Sequence, residues 1–369
     1  MSERKRIGFL SYYGFPRGIC YTKLMYAKML QEHYDIFILK QGKNPISEEF
    51  KSVHINITEY PEYIVKEDFF VNWIKENKLD AVFFEEYNQW EGLIDTEKNL
   101  VEIAKKEGCK TFGYLVQEKF KLKQTEFYDR IIAPTVSMER FYRKNKVRNF
   151  TYVPTSVDFE EFPDPENNPF NFKEKEKFIF YHPAGYGGFK NRKNTQAVIL
   201  AFQLLNRDDT KLVISSQKPL VFDGELPHNI HIIEKTLPRE ELIEQYYKAD
   251  CVLLPSKWET VGIPILESLA SGTPVITSNV PPMNEFIKEG MNGYLCNGEI
   301  TKYDNISIDV IEVDYTNLKN KMENILVKPL HSLLSKNSRK VAKELYDLQK
   351  NKKYFLDFLE KELECKNNR

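Results

Sequence analysis

The chain has 369 residues, 41% of them hydrophobic and 29% charged, with 53 lysines and arginines against 54 aspartates and glutamates. That length accommodates two domains or one large one, and either can bury a full core without disulfide or metal staples. A formal net charge of −1 excludes a protein whose whole surface coats a polyanion, and no apolar run approaches the roughly 20 residues of a membrane span.

The opening MSERKRIGFLSYYG has a basic flank, but its apolar stretch breaks at Tyr12, Tyr13 and Gly14, so it reads as a first strand rather than a signal peptide. Short runs rich in β-branched and aromatic residues predict strands at 7–12, 35–39, 53–57, 81–84, 111–115, 130–133 and 151–153. Amphipathic stretches at 19–32, 69–77, 97–107 and 137–145 predict helices between them. The βαβα alternation implies a mainly parallel sheet covered on both faces. The stretch 158–177, DFEEFPDPENNPFNFKEKEK, is rich in charge, Pro and Asn and lacks periodicity. It marks a linker, placed at 161–177 between domains at 1–160 and 178–340. Beyond it the alternation restarts: strands at 178–181, 211–215, 229–233, 251–254 and 274–277, helices at 195–206, 239–248, 262–270 and 284–288. The end of the chain is helical and basic, with ten Lys/Arg against six Asp/Glu over 336–369. The reading is therefore α/β, with two Rossmann-like, doubly wound parallel-sheet domains facing across a cleft. Cys20, Cys109, Cys251, Cys296 and Cys365 are odd in number and scattered, without CxxC or Cys/His zinc spacing, which predicts a reduced, disulfide-free, cytoplasmic protein.

The most informative stretch is 255–278, PSKWETVGIPILESLASGTPVITS. A strand ends at Leu254, a loop carries Glu259, and Gly262-Ile263-Pro264 opens a helix containing Glu267. Val261, Gly262 and Ile263 would present backbone N–H groups with the positive end of the helix dipole behind them, an arrangement that binds anions and phosphates above all. Glu267 could accept two charge-assisted hydrogen bonds from a vicinal diol such as that of ribose. Glu259 could meet a sugar hydroxyl or cap the amides of its own turn. A second cluster, AGYGGFKNRKNT at 184–195, combines a glycine-rich loop with Lys190, Arg192 and Lys193, and Asn194 or Thr195 could N-cap the following helix. His182, at a strand end before Pro183, could approach the cleft, though its context favours a hydrogen-bonded structural histidine.

The pattern of Glu259, seven residues and Glu267 closely resembles the signature of family 4 retaining glycosyltransferases of the GT-B fold, the glycosyl transferases group 1. Tyr247-Lys248-Ala249-Asp250 and the run EFIKEGMNGYL at 285–295 resemble the motifs on either side of that signature. The likeness is strong over 178–300 and only topological over the N-terminal half. It implies a sugar transferred with retention from a UDP- or GDP-sugar to a hydroxyl of a glycan, lipid-linked or protein acceptor. It also implies that Glu259 contacts the transferred sugar and Glu267 the ribose hydroxyls. Lys193 would hold the diphosphate, with Arg192 adjoining and Lys190 standing in for the family's earlier arginine. Thr236, in the turn EKTL, would lie near the base. Gly18 matches the second glycine of the family's N-terminal loop, while Arg17 replaces a glycine and offers a phosphate or acceptor contact, or is a solvated cation. The family's N-terminal histidine has no counterpart here; Glu85, Glu86 or Glu118 could line the acceptor side, and Ser215, Ser216 and Gln217 the nucleotide pocket. The 341–369 tail would pack back on the N-terminal domain.

The chain contains no compact Asp-x-Asp, so no essential metal and no cofactor are expected. Lys193, Arg192 and the amides near Gly262 would do a metal's work. Two rival readings are a silent glycosyltransferase-like binding subunit and a GT-B nucleotide-sugar epimerase. No nucleic-acid recognition motif is present; local basic stretches at 119–123, 140–148 and the tail leave room for peripheral membrane contact.

Overall fold

The computed structural model describes residues 4–51, 53–85, 94–115, 121–167, 170, 176–186, 192–220, 225–302 and 308–364. They form two compact units, Met1–Thr155 with Leu348–Arg369, and Ser156–Asp347.

The first unit contains β1 (Arg6–Ser11), α1 (Gly18–Leu30), β2 (Asp35–Gln41), β3 (Asn56–Tyr60), α2 (Glu67–Asn77), β4 (Ala81–Glu85), α3 (Ile94–Lys106), β5 (Lys110–Tyr114), β6 (Arg130–Ala133), α4 (Val136–Lys144) and β7 (Phe150–Tyr152). Its sheet is parallel in the order β3-β2-β1-β4-β5-β6-β7, so the winding direction reverses between β1 and β4. On one face, Phe9, Phe83 and Phe112 sit at facing register positions of adjacent strands, with ring centroids 4.9 and 4.7 Å apart. The last described helix, Leu348–Glu364, closes that layer with Phe355, 5.6 Å from Phe83, and Phe358, 5.0 Å from Phe112. Arg130 fastens it by donating to Glu362 at 2.7 Å. The other face buries Phe70, Trp73, Leu100 and Val101 from α2 and α3.

The second unit contains β8 (Phe178–Gly185), α5 (Thr195–Leu205), β9 (Thr210–Ser216), β10 (Ile230–Glu234), α6 (Arg239–Lys248), β11 (Cys251–Leu254), α7 (Ile263–Ala270), β12 (Val275–Ser278), β13 (Gly293–Cys296), β14 (Gly298–Thr301), β15 (Val310–Val313), α8 (Tyr315–Ile325) and α9 (Lys328–Leu345), with Leu348–Glu364 then numbered α10. Its main sheet is parallel in the order β10-β9-β8-β11-β12-β13, and β14 and β15 pair antiparallel beside it. The segments where the chain enters and leaves this unit lie side by side: Val157 N donates to Tyr346 O at 2.8 Å, and Val157 and Asp347 form a parallel bridge.

Several sequence expectations shift. The third strand begins at Asn56 rather than 53, because Val53 is spent as a buried anchor of a turn closed by Ile55 N to Val53 O at 3.0 Å. The helix expected at 284–288 is a single 3₁₀ turn, Met283–Glu285. Met283, Phe286 and Ile287 all enter the core, and Asn292 ends the turn by accepting from Lys288 N at 2.8 Å and donating to Phe286 O at 3.0 Å. β13, the β14–β15 pair and α8 have no counterpart in the sequence reading. Within the stretch read as linker, Phe162 is fully buried in the second unit's core, and Arg339 of α9 donates to its carbonyl at 2.8 Å. The charged composition masks an apolar anchor. The helical tail divides: α9 belongs to the second unit and α10 to the first. Among the described residues, no helix is long and apolar enough to cross a membrane.

One buried acid in the first unit gives a pH prediction. Glu97 of α3 is 1% exposed and accepts from Gln124 Nε2 at 2.7 Å and from the Tyr128 hydroxyl. Burial raises its carboxyl from 4.5 to about 7, although the hydrogen bonds from Tyr128 and Gln124 pull the other way. The folded chain therefore holds a proton that the unfolded chain has released between those two values. Stability falls as pH rises through that window, by about 3 kcal/mol if the full shift is expressed. Urea unfolding of the wild type and Glu97→Gln at about pH 5 and about pH 8 should show the wild type losing stability relative to the variant at the higher pH. A difference independent of pH would refute it.

Candidate active site

The site residues of the second unit gather where adjacent strands end. β8 pairs with β11, so the segments that follow them converge at the carboxyl edge of the sheet. After β11 come Ser256 and Glu259; after β8 come Arg192 and Lys193, which lead into α5. Asn194 occupies the N-cap position with φ +60°, a left-handed conformation that asparagine tolerates better than most side chains. Its side chain makes no capping hydrogen bond, and Thr195 instead bonds His182 Nε2 at 2.9 Å, so neither of the two expected caps is formed by a side chain. His182 is fully buried, its Nδ1 2.8 Å from Leu253 O, and burial pushes it down to about 4. It is a neutral structural histidine, as its sequence context indicates.

Glu259 is 4% exposed, and Arg192 and Lys193 both close on it. Lys193 Nζ donates to Oε1 at 2.6 Å, Ser256 Oγ to the same oxygen at 2.9 Å, and Arg192 Nη1 to Oε2. Burial alone would raise this carboxyl, but Arg192 and Lys193 outweigh it and hold Glu259 at about 2. Its charge is lost only as pH falls from the ordinary glutamate range toward that value. The Lys193 ammonium is lowered by burial, against the opposing pull of Glu259. The sequence reading distributes these residues over a diphosphate and a sugar; the structure joins them in one cluster, two cations and a carboxylate with one net positive charge.

Immediately beyond, Gly262 has φ +84° and turns the chain into α7. The first backbone bond of that turn runs from Ile265 N to Gly262 O at 2.9 Å, so the amides of Val261, Gly262 and Ile263 precede the helical ladder. Glu267, 4% exposed on α7, accepts from the Tyr246 hydroxyl at 2.8 Å and from Arg239 Nη1. Thr236 lies exposed beyond the end of β10. Ser215 and Ser216 spend their hydroxyls internally, Ser215 with the Tyr181 hydroxyl at 2.6 Å and Ser216 on Lys218 O at 2.6 Å, which corrects their reading as pocket-lining groups.

Arg17 and Gly18 belong to the first unit. Arg17 is the exposed N-cap residue of α1, its guanidinium 5.1 Å from the Phe15 ring, and Gly18 begins the helix. The positive φ of this loop falls instead on Gly14, at +89°. Glu85 is fully buried at the end of β4, 3.8 Å from Lys23 Nζ, and so is not an exposed loop carboxylate. Lys190, Glu86 and Glu118 lie outside the described residues.

Three residues of the site escape the sequence reading: Ser256, Tyr246 and Arg239. Arg239 carries a signal. It is the first residue of α6, where the helix dipole disfavours a cation, so another interaction must hold it there.

Comparisons with known proteins agree with this picture. Residues 164–325 match the family model "Glycosyl transferases group 1". Alpha-monoglucosyldiacylglycerol synthase of Streptococcus pneumoniae is 32% identical over 187 residues, a match that covers 46% of this chain and 42% of that protein, or about two fifths of the relative's length. Among solved structures, sucrose-phosphate synthase from Thermosynechococcus elongatus superposes with a TM-score of 0.71 at 16% identity, covering 98% of this chain and 100% of that one. The Anabaena protein HepE, in complex with UDP and glucose, also gives 0.71, at 13% identity over 97% of this chain and 100% of that one. Residues 164–325 thus carry a likeness to the glycosyl transferases group 1, and the fold is GT-B.

Proposed function

We propose that the protein transfers a sugar from a nucleoside-diphosphate donor to an acceptor hydroxyl, with retention of configuration and without an essential metal. The observation that carries this reading is the cluster of Arg192, Lys193 and Glu259 set directly before the amides that open α7, with Glu267 farther along the same helix. Cleavage of the sugar–phosphate bond builds negative charge on the departing diphosphate. Cations and amides already aimed at that charge stabilise the transition state more than the ground state. Glu259 fixes the two cations in place and offers its carboxylate edge to the transferred sugar. Glu267 still has acceptor capacity on both oxygens, which suits the ribose diol. Retention fits a front-face displacement in which the leaving phosphate oxygen takes the acceptor proton. The HepE complex with UDP makes UDP-sugars the first donors to test.

A thermal-shift screen across UDP-, GDP- and ADP-sugars should give one class that stabilises the chain, by about 2.7 kcal/mol at a concentration of 100 Kd. Glu267→Ala should weaken binding of that donor about 10–100-fold, the equivalent of a lost charge-assisted interaction. No stabilisation by any nucleotide sugar would overturn the reading. Isomerisation of the donor without acceptor would replace it with epimerase chemistry.

A further inference from the structure

We infer that Arg239 and Glu161 are positioning residues that set the Glu267 carboxylate for its ligand, linking the site to the segment by which the chain enters the second unit. The inference rests on the reading of Glu267 as the ribose contact. Arg239 uses all three guanidinium nitrogens within the protein. Nη1 donates to Glu267, while Nε and Nη2 donate to Glu161 Oε2 at 2.9 and 2.7 Å. Both neighbours are substantially buried, the Arg239 side chain 14% exposed and that of Glu267 5%. A guanidinium held on two carboxylates in this way is an orienting group, not a group held in reserve for a ligand.

The surroundings restrict it further. The Arg239 guanidinium lies 5.6 Å from the ring of Phe162, whose backbone carbonyl accepts from Arg339 at 2.8 Å. Tyr246, fully buried, fixes the second oxygen of Glu267 at 2.8 Å, and burial beside that carboxylate raises its hydroxyl well above the ordinary tyrosine range. The Glu267 carboxylate is thus pinned at one oxygen by a cation and at the other by a neutral hydroxyl. Each oxygen thus has one partner among the described contacts, and on the ribose reading its second acceptor position would take one of two adjacent hydroxyls. Glu161, at the start of the unit and a few residues past the Thr155/Ser156 division, supplies the counter-charge that keeps Arg239 at a helix start where the dipole opposes it.

The test is discrimination between ribose and 2′-deoxyribose, which a merely structural residue would not alter. Calorimetric titration of the full chain with UDP and 2′-deoxyUDP, and with GDP and 2′-deoxyGDP, gives a Kd ratio for each pair. The wild type should prefer the ribonucleotide about 10-fold on the matching base, the value of one charge-assisted hydrogen bond. Glu267→Gln should lower that ratio, Arg239→Met should bring it close to 1, Arg239→Lys should restore part of it, and Glu161→Gln should give an intermediate value. If Arg239→Met fails to fold, the Arg239→Lys and Glu161→Gln ratios decide: both at the wild-type value would refute the inference. A normal ratio in Arg239→Met with a reduced one in Glu267→Gln would refute the positioning role and leave the ribose contact standing. An unchanged ratio in Glu267→Gln, or no preference in the wild type, would overturn the ribose contact itself and the positioning role with it.

Discussion

Replacing Lys193 with alanine is expected to lower turnover by roughly 10²–10³-fold, the usual cost of removing one preorganised donor from a developing oxyanion. Lys193 is the more buried of the two cations on Glu259, with an 11% exposed side chain against 34% for Arg192, so water is the poorer substitute for it. Its removal also leaves the Glu259 carboxylate with Arg192 as its one cation among the described contacts, so some loss of stability will accompany the loss of rate. The two effects separate experimentally. Donor hydrolysis in the absence of acceptor reports the chemical step, calorimetric titration with the nucleoside diphosphate reports binding, and a thermal melt reports folding. The proposal requires the rate to fall far more than the affinity. A variant that folds, binds and hydrolyses donor at a near-normal rate would remove Lys193 from the chemistry.

Phe355→Ala should cost about 3–5 kcal/mol, the range for deleting a large aromatic from a closed core. Phe355 is fully buried, with ring centroids 4.7 Å from Tyr26 and 5.6 Å from Phe83, so α1, β4 and α10 all lose packing together. The damage should be confined to the first unit. Amide exchange in β1, β4 and β5 should quicken by two orders of magnitude or more, while β11 and β12 keep their protection. A loss below about 1 kcal/mol would mean that the helix rests on the sheet without completing its core.

Much of this was legible in the sequence for identifiable reasons. The parallel strands announce themselves as β-branched and aromatic runs because both of their faces are buried. α6 and β11 match their predicted bounds, and Arg130–Ala133 does as well. The motif at 255–278 was readable because a turn with positive φ, a helix start and two carboxylates each leave a residue-level mark: Gly262, Pro264, Glu259 and Glu267. What stayed hidden depends on contacts distant in sequence. Nothing local ties Glu161 to Arg239, or Arg192 and Lys193 to Glu259, and these pairs span 78, 67 and 66 positions. Part of the family-like run at 285–295 proves architectural. Asn292 braces its own turn, and a Cβ on Gly293 would lie 2.0 Å from Val275 O. The boundary at 155/156 was obscured because a segment dominated by charge anchors itself through a few scattered aromatics, Phe162 fully buried with Phe159 and Phe170 packed beside the core.

The split of the first unit around the second sets an order of assembly during synthesis. The ribosome delivers the seven strands of the first sheet, then all of Ser156–Asp347, and only after these the helix that covers Phe9, Phe83 and Phe112. The second unit is contiguous and can complete its core while the first still displays an uncovered aromatic layer, the kind of surface that recruits chaperones or drives aggregation. A nascent chain stalled or cleaved near Asp347 would therefore carry an intact second unit on an unfinished first one. Emergence of α10 is the event that ends this exposure.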